Sequence, residues 1–188
     1  MRPGHALAGI AVTALLAGCT ADRVNADGTV EVESVLQACP DQTAEVARGA
    51  QLMPALEFDC PGGGTLDLSR APGVPTVVNL WGSWCAPCRE ELPLFQELAD
   101  SAGEQVRVVG VISKDGRLQA ESFAADADVT FPSALDGEGE LMAGLGINVL
   151  PHTYFLDADG GLVHTQVGPV TSADELRGLV AEHLGVQL

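Results

Sequence analysis

Basic and aromatic side chains are scarce in this sequence. Lys and Arg together number 9, against 26 Asp and Glu, which gives a formal net charge of −17. A protein that binds nucleic acid needs clustered Lys and Arg to meet the phosphate backbone, and anionic lipid headgroups attract polybasic segments. The composition therefore argues against nucleic acid as a partner and favours an acidic, solvated surface.

The apolar stretch near the N-terminus is short. It runs from Ala6 to Ala17 after Arg2, too few residues for a transmembrane helix of about 20 but enough for a signal-peptide core. It ends in Leu16-Ala17-Gly18-Cys19, which resembles the lipobox of bacterial lipoproteins, where cleavage before the cysteine leaves its thiol to carry lipid. We expect a signal peptide over residues 1–18 and a lipid anchor on Cys19 that holds the protein at the outer face of the cytoplasmic membrane. An ordinary secretory peptide whose cleavage site adjoins a cysteine is the alternative.

The chain has five cysteines. Cys19 is assigned to lipid, and Cys85 and Cys88 form a C-x-x-C. Cys39 and Cys60 remain, and they predict a structural disulfide because exported proteins seldom keep two free thiols. Closing a loop of about 20 residues stabilises the fold by about 3 kcal/mol in the chain-entropy account. Zinc is the alternative, but no His pair at ligand spacing accompanies the four cysteines, so we expect no metal.

The rest of the chain reads as an extension followed by one domain. Residues 19–53 are predicted to be a spacer and a disulfide-tied extension with a short helix over 41–50, and residues 54–188 a folded domain. Apolar segments at 55–58 and 65–68 flank a Pro-Gly-Gly-Gly turn and predict a hairpin. Strands are then predicted over 76–81, 106–112, 131–135, 153–156 and 162–167, and helices over 85–102, 118–127, 138–145 and 174–184. This order predicts an α/β fold, a mixed sheet with helices on both faces.

The C-x-x-C lies where a buried strand passes into a helix. Backbone N–H groups and the positive end of the helix dipole favour a thiolate at that position, and thiolate is the attacking species in disulfide exchange. We therefore predict Cys85, exposed ahead of the first turn, as the nucleophile and Cys88 as the cysteine that resolves the mixed disulfide. Half of a zinc knuckle is the alternative, but the chain has no second C-x-x-C.

Residues 77–93 read V-V-N-L-W-G-S-W-C-A-P-C-R-E-E-L-P. They resemble the TlpA/ResA-like oxidoreductases of the thioredoxin superfamily, and the similarity extends over residues 54–185. The resemblance implies a thioredoxin-like three-layer α/β/α sandwich with a mixed central sheet and an N-terminal hairpin. It also implies a protein disulfide oxidoreductase that needs no cofactor.

The same resemblance implies a role for Glu91. In this family a Glu three residues after the second cysteine assists proton transfer, and Asn79 stands where cytosolic thioredoxins keep a buried Asp. A carboxylate one helical turn after Cys88 is also suited to accept that thiol's proton. In the alternative interpretation, Glu90 and Glu91 are both solvated acids near the helix N-terminus.

Residues 149–157 read V-L-P-H-T-Y-F-L-D and resemble the cis-proline loop that faces the dithiol in the superfamily. The resemblance implies a cis bond before Pro151, with the Leu150 backbone free to pair with a substrate peptide in the manner of a β-strand. His152 is expected in ordinary polar packing, with modulation of the thiolate as the alternative. Trp84 is expected to form part of an apolar docking surface beside Cys85.

The motif indicates a direction of electron flow. Ala86 and Pro87 carry no charge and Glu91 opposes thiolate formation, so we expect a weak oxidant that reduces disulfides in exported proteins. The resemblance implies apocytochrome c thiols as clients and a CcdA-type membrane protein as electron donor. The alternatives are an oxidase or isomerase for secreted proteins, and a non-catalytic lipoprotein that binds a partner. A peroxidase is disfavoured because neither cysteine lies in a P-x-x-x-T-x-x-C context.

Overall fold

The structure is a computed structural model that describes residues 33–188 and, before them, two short paired strands. These are β1 (Arg23–Val24) and β2 (Val30–Glu31), which pair antiparallel. The chain divides into two units, residues 1–32 and 33–188. The predicted signal peptide and Cys19 lie outside the described residues. Among the described residues, no helix combines the length and apolar character that crossing a bilayer demands.

A five-stranded mixed sheet forms the centre of the second unit. Its strands are β5 (Thr76–Trp81), β6 (Arg107–Ser113), β7 (Ser133–Asp136), β8 (His152–Leu156) and β9 (Leu162–Val167), in the spatial order β7-β6-β5-β8-β9. The pairs β5–β6 and β6–β7 are parallel, and β8 is antiparallel to both β5 and β9. Every residue of β5 is buried, because this strand lies inside the sheet and is covered on both faces.

Helices and a hairpin cover the two faces of the sheet. The helices are α1 (Ala86–Ala102), α2 (Arg117–Asp126), α3 (Glu140–Leu145) and α4 (Ala173–Leu184). Buried side chains of α1, α2 and α4 share one apolar cluster with the sheet. A second cluster joins the other face to α3 and to the hairpin of β3 (Glu57–Asp59) and β4 (Thr65–Asp67). This arrangement confirms the predicted three-layer α/β/α sandwich with a mixed sheet and an N-terminal hairpin.

The helix predicted over residues 41–50 is wrong. The segment is irregular, with two bends, and it pairs with the chain after β4: Ala71 N donates to Glu45 O at 2.9 Å, and Ala47 N donates to Ser69 O at 2.8 Å. A bridge joins Val46 to Arg70. Because its backbone groups bond to this neighbouring segment, they are not available for the internal hydrogen bonds of a helix.

Cys39 and Cys60 are joined by a disulfide, with their Cα atoms 5.9 Å apart. Two backbone hydrogen bonds flank it, from Cys39 N to Gly63 O at 2.9 Å and from Cys60 N to Gly64 O at 3.0 Å. Gly64 has a φ of +73°, and a Cβ there would lie 3.0 Å from the Cys39 carbonyl oxygen. The turn between β3 and β4 therefore needs glycine to hold the 33–50 segment this closely.

Candidate active site

Cys85 and Cys88 lie at the N-terminus of α1. Cys85 is the N-cap residue, with extended backbone angles, and its sulfur accepts a 3.3 Å hydrogen bond from Cys88 N. The two cysteines are joined by a disulfide with Cα atoms 5.3 Å apart. Pro87 lies in the first helical turn, where its missing N–H costs no internal hydrogen bond.

The exposure expected for Cys85 is wrong in this disulfide-bonded form. Only 4% of Cys85 is accessible, and Cys88 is fully buried. Both belong to the apolar cluster of α1, α2 and α4, against which Leu150 also packs. The sulfur atoms therefore lie in an apolar surround at the helix end, and of the two cysteines only Cys85 has any surface accessible to a reaction partner.

Glu91 lies one turn after Cys88 and is completely buried. Asn79 Nδ2 donates to its Oε1 at 2.8 Å, and Val170 N donates to its Oε2 at 2.9 Å. Burial raises the pKa of Glu91 to about 7, although both hydrogen bonds oppose the rise. The solvated alternative is therefore wrong for Glu91, whereas Glu90 is exposed. A carboxyl group that titrates near neutrality suits general acid–base catalysis.

Asn79 connects Glu91 to the neighbouring strand. The register of β5 and β8 sets Asn79 opposite Thr153, and Asn79 Nδ2 donates to Thr153 Oγ1 at 3.1 Å. Both amide hydrogens of Asn79 are therefore used, and its buried Oδ1 accepts no hydrogen bond from the described residues. The three side chains form one buried polar network inside an apolar core.

The bond between Leu150 and Pro151 is cis. Pro151 precedes β8, in which His152 lies opposite Leu80 near the end of the strand that leads to the C-x-x-C. The Pro151 carbonyl accepts a 3.1 Å hydrogen bond from Gly168 N. The pairing of β5 with β8 thus brings the predicted proline loop and the predicted redox pair to the same end of the sheet.

A family model described as Redoxin matches residues 47–180. The chain belongs to the redoxin family. Sporulation thiol-disulfide oxidoreductase A of Bacillus subtilis is 36% identical over 109 residues, covering 56% of this chain and 66% of that protein. Thiol-disulfide oxidoreductase ResA of Bacillus thuringiensis is 29% identical over 110 residues, covering 58% and 64%. The match thus spans slightly less than two thirds of each relative.

Solved structures agree with the assigned fold. The crystal structure of StoA from Bacillus subtilis has a TM-score of 0.57 and 30% identity, covering 65% of this redoxin and 96% of that chain. The pneumococcal exposed lipoprotein thioredoxin of Streptococcus pneumoniae has a TM-score of 0.59 and 27% identity, covering 68% and 98%. These findings confirm the predicted ResA-like membership of the thioredoxin superfamily.

The two tryptophans of the redoxin's W-G-S-W motif lie in different environments. Trp81 is fully buried, and its indole N–H lies 3.4 Å from Ser133 Oγ. Trp84 is 54% exposed beside Cys85, and its indole N–H donates to the Lys114 carbonyl at 3.0 Å. The position of Trp84 is compatible with the predicted docking surface.

His152 is the first residue of β8. It is buried, its ring lies 6.2 Å from the Tyr154 ring, and its Nδ1 has no hydrogen-bond partner among the described residues. Burial lowers the pKa of His152, although a hydrogen bond with the Val149 backbone opposes the change, and burial raises the pKa of Tyr154 to about 12. Both side chains therefore stay neutral at pH 7.

Sequence reasoning missed three residues that contact this redoxin's site from outside it. Thr153 completes the network with Asn79, and Lys114 and Asp115 contact the loop before Cys85. One signal in the sequence could have identified Lys114 and Asp115. They follow β6, and parallel neighbours such as β5 and β6 end at the same edge of the sheet. No comparable signal identified Thr153, because its contact with Asn79 depends on the register of β5 and β8, two strands that are far apart in the sequence.

Proposed function

We propose that this redoxin is a thiol–disulfide oxidoreductase that reduces disulfides in exported proteins through Cys85 and Cys88. The observation that carries the proposal is the bonded cysteine pair at the start of α1, followed one turn later by a buried carboxyl group that titrates near pH 7. The names of the two curated relatives describe the same class of chemistry.

The reaction begins from the dithiol form. The Cys85 thiolate, favoured by the helix N-terminus, attacks one sulfur of a client disulfide. A Cys85–client bond forms and the other client sulfur leaves as a thiolate. The Cys88 thiolate then attacks Cys85 Sγ, which forms the Cys85–Cys88 bond and releases the second client sulfur. The client gains two electrons and two protons, and the redoxin becomes the disulfide form.

Glu91 is the proposed proton acceptor for Cys88. Its carboxylate takes the thiol proton as Cys88 becomes the attacking thiolate in the second step. Asn79 and Val170 hold the two carboxylate oxygens in place. Since the pKa of Glu91 is about 7, the group exchanges protons readily at neutral pH.

Leu150 and Pro151 are the proposed contacts for the client backbone, and Trp84 for a client side chain. The cis-proline loop lies at the same end of the sheet as the cysteines. Extended pairing with a loop backbone recognises a polypeptide without demanding a particular sequence. Trp84 adds exposed apolar area beside the reacting sulfur.

Direction and location follow from the motif and the N-terminus. No charged residue separates the cysteines, and Glu91 disfavours a nearby thiolate, so the disulfide is a weak oxidant. We place the protein at the outer face of the cytoplasmic membrane, with residues 1–18 as signal peptide, Cys19 as lipid anchor and residues 19–53 as a spacer and disulfide-tied extension, of which residues 33–53 belong to the same unit as the domain. The similar pneumococcal protein is named an exposed lipoprotein. Apocytochrome c thiols are the proposed clients, and a CcdA-type membrane protein the proposed source of electrons.

The reduction potential tests this proposal. The purified protein is equilibrated with reduced and oxidised glutathione at known ratios, and the Cys85–Cys88 disulfide is quantified by alkylation and mass measurement. A potential near that of thioredoxin, about −270 mV, supports reduction, and one near about −120 mV overturns it in favour of an oxidase. A Cys85 thiol that reacts with alkylating agents no faster than free cysteine would instead indicate a binding lipoprotein.

A further inference from the structure

The loop that carries Cys85 is tied to the chain segment after β6. Ser83 N donates to Asp115 Oδ2 at 2.6 Å, and the Trp84 indole N–H donates to the Lys114 carbonyl at 3.0 Å. Within the loop, Cys85 N donates to Gly82 O at 3.0 Å. Two consecutive residues outside the C-x-x-C motif therefore hold both residues that precede the proposed nucleophile.

The backbone of Lys114 is held in an uncommon conformation. Its φ is +52°, in the left-handed region that non-glycine residues seldom occupy. Lys114 N donates to Asp136 O at 2.9 Å, and its aliphatic stem covers Gly139, where a Cβ would lie 2.6 Å from Lys114 Cγ. Such a conformation persists when its surroundings determine it from several sides. The carbonyl that receives the Trp84 indole is therefore fixed in direction.

Asp115 connects two loops. While its Oδ2 accepts from Ser83, its Oδ1 accepts from Gly116 N at 2.9 Å, directly before α2. The lack of a side chain at Gly82 leaves room for the Trp84 indole, because a Cβ there would lie 2.7 Å from the indole nitrogen. The indole thus folds back over the Gly82 backbone and is held there from the Lys114 side.

We propose that Lys114 and Asp115 are positioning residues that fix Trp84 as a docking surface for protein clients. This inference rests on the proposed thiol–disulfide exchange. Cys85 makes its own hydrogen bonds with Gly82 and with the first turn of α1, and neither bond involves Lys114 or Asp115. Lys114 and Asp115 therefore control how a protein client docks beside the Cys85 sulfur, and they leave the reactivity of that sulfur unchanged.

Two disulfide substrates separate docking from reactivity. The reduced protein is mixed in stopped flow with native insulin, which is a protein disulfide, and with oxidised glutathione, which is a small-molecule disulfide. Asp115→Ala is expected to lower the second-order rate with insulin about tenfold, the effect of losing one interface anchor, while the rate with oxidised glutathione stays within about twofold. Asp115→Asn keeps an oxygen that accepts from Ser83 N, so it restores most of the insulin rate.

Lys114 supplies a second pair of variants. Lys114→Gly tolerates the positive φ and retains the backbone N–H that donates to Asp136 O, so we expect its carbonyl to stay in place without the side-chain stem. β-branched Lys114→Val disfavours that φ and displaces the carbonyl. The valine variant should therefore lower the insulin rate and increase acrylamide quenching of Trp84, and the glycine variant should change neither. Glu104→Ala, at an exposed site beyond the far end of α1, is the matched control for loss of one acidic side chain.

Each outcome is decisive. Unchanged insulin rates in both Asp115→Ala and Lys114→Val overturn the inference, as do equal losses with insulin and oxidised glutathione, which would place the effect on the sulfur. If Asp115→Ala does not fold by circular dichroism, the Lys114 pair decides alone. A wild-type protein that reduces neither substrate overturns the proposed function itself, whereas an active wild type with indifferent variants overturns only the docking role.

Discussion

Glu91 accepts a 2.8 Å hydrogen bond from the side-chain amide of Asn79, and both residues are completely buried. A carboxyl group in such a site favours its neutral form because burial penalises the charge, while each donated hydrogen bond favours the anion. The balance leaves the pKa of Glu91 at about 7. The pKa of Glu91 therefore depends on side chains from two elements, α1 and β5.

Replacing Glu91 by Gln should slow the resolution of the mixed disulfide. The amide has a similar shape but accepts no proton, so we expect the rate at pH 7 to fall about 100-fold, at the low end for loss of a general base. Stopped-flow measurement of reduced protein against insulin, from pH 5 to 9, should show an inflection near pH 7 that the variant lacks. Glu90→Gln, at the exposed neighbouring position, is the control, and identical pH profiles for the Glu91 variant and wild type would contradict the role.

Glu91 should also make the protein less stable as the pH rises. Its pKa is about 7 when folded and 4.5 in the reference state, so between these values the folded protein holds a proton that the unfolded chain has lost. The free energy of unfolding then falls with rising pH, by about 3 kcal/mol in total for this group. Urea denaturation at pH 4 and pH 8 measures the difference, which Glu91→Gln should reduce by that amount. An equal pH dependence in both proteins would show that Glu91 titrates normally.

Asn79→Ala should move the activity inflection to higher pH. The variant removes a donor that favours the Glu91 carboxylate, so the pKa of Glu91 rises above its present value of about 7. The buried site also loses hydrogen bonds and volume, which lowers the free energy of unfolding by about 1–3 kcal/mol. Thr153→Val is the matched control, because Thr153 bonds Asn79 but not Glu91. The same inflection in Asn79→Ala and wild type would argue against control of Glu91 by the amide.

Removing the Cys39–Cys60 disulfide should lower the stability of the protein and leave its redox chemistry intact. The Cys39→Ala/Cys60→Ala protein loses a link between residues 21 apart, which lowers the free energy of unfolding by about 3 kcal/mol. Urea denaturation of the oxidised proteins measures the loss, and glutathione equilibration should return an unchanged potential for Cys85–Cys88. A shifted potential would mean that the 33–50 segment takes part in the active site.

Local sequence patterns predicted most of the elements correctly. The strand predicted from the apolar run over 76–81 has the same bounds as β5. The helix α1 ends at Ala102, as its apolar periodicity predicts. The helix prediction over 41–50 failed because the composition of this segment permits a helix. Its hydrogen-bond partners, at residues 69–71, come from a distant part of the chain. Propensity describes only neighbours in sequence, and tertiary hydrogen bonds override it.

What this sequence determined by itself is the chemistry at one point: a C-x-x-C between a buried strand and a helix, in a chain whose motifs identify its superfamily. Spacing along a strand or helix sets which side chains share a face, so these features depend on near neighbours alone. Only the tertiary structure decided that Glu91 is buried between Asn79 and Val170, and that Lys114 and Asp115 hold the loop before Cys85. Those contacts join residues from 12 to 79 positions apart, and the pairing and packing of distant elements bring such residues together.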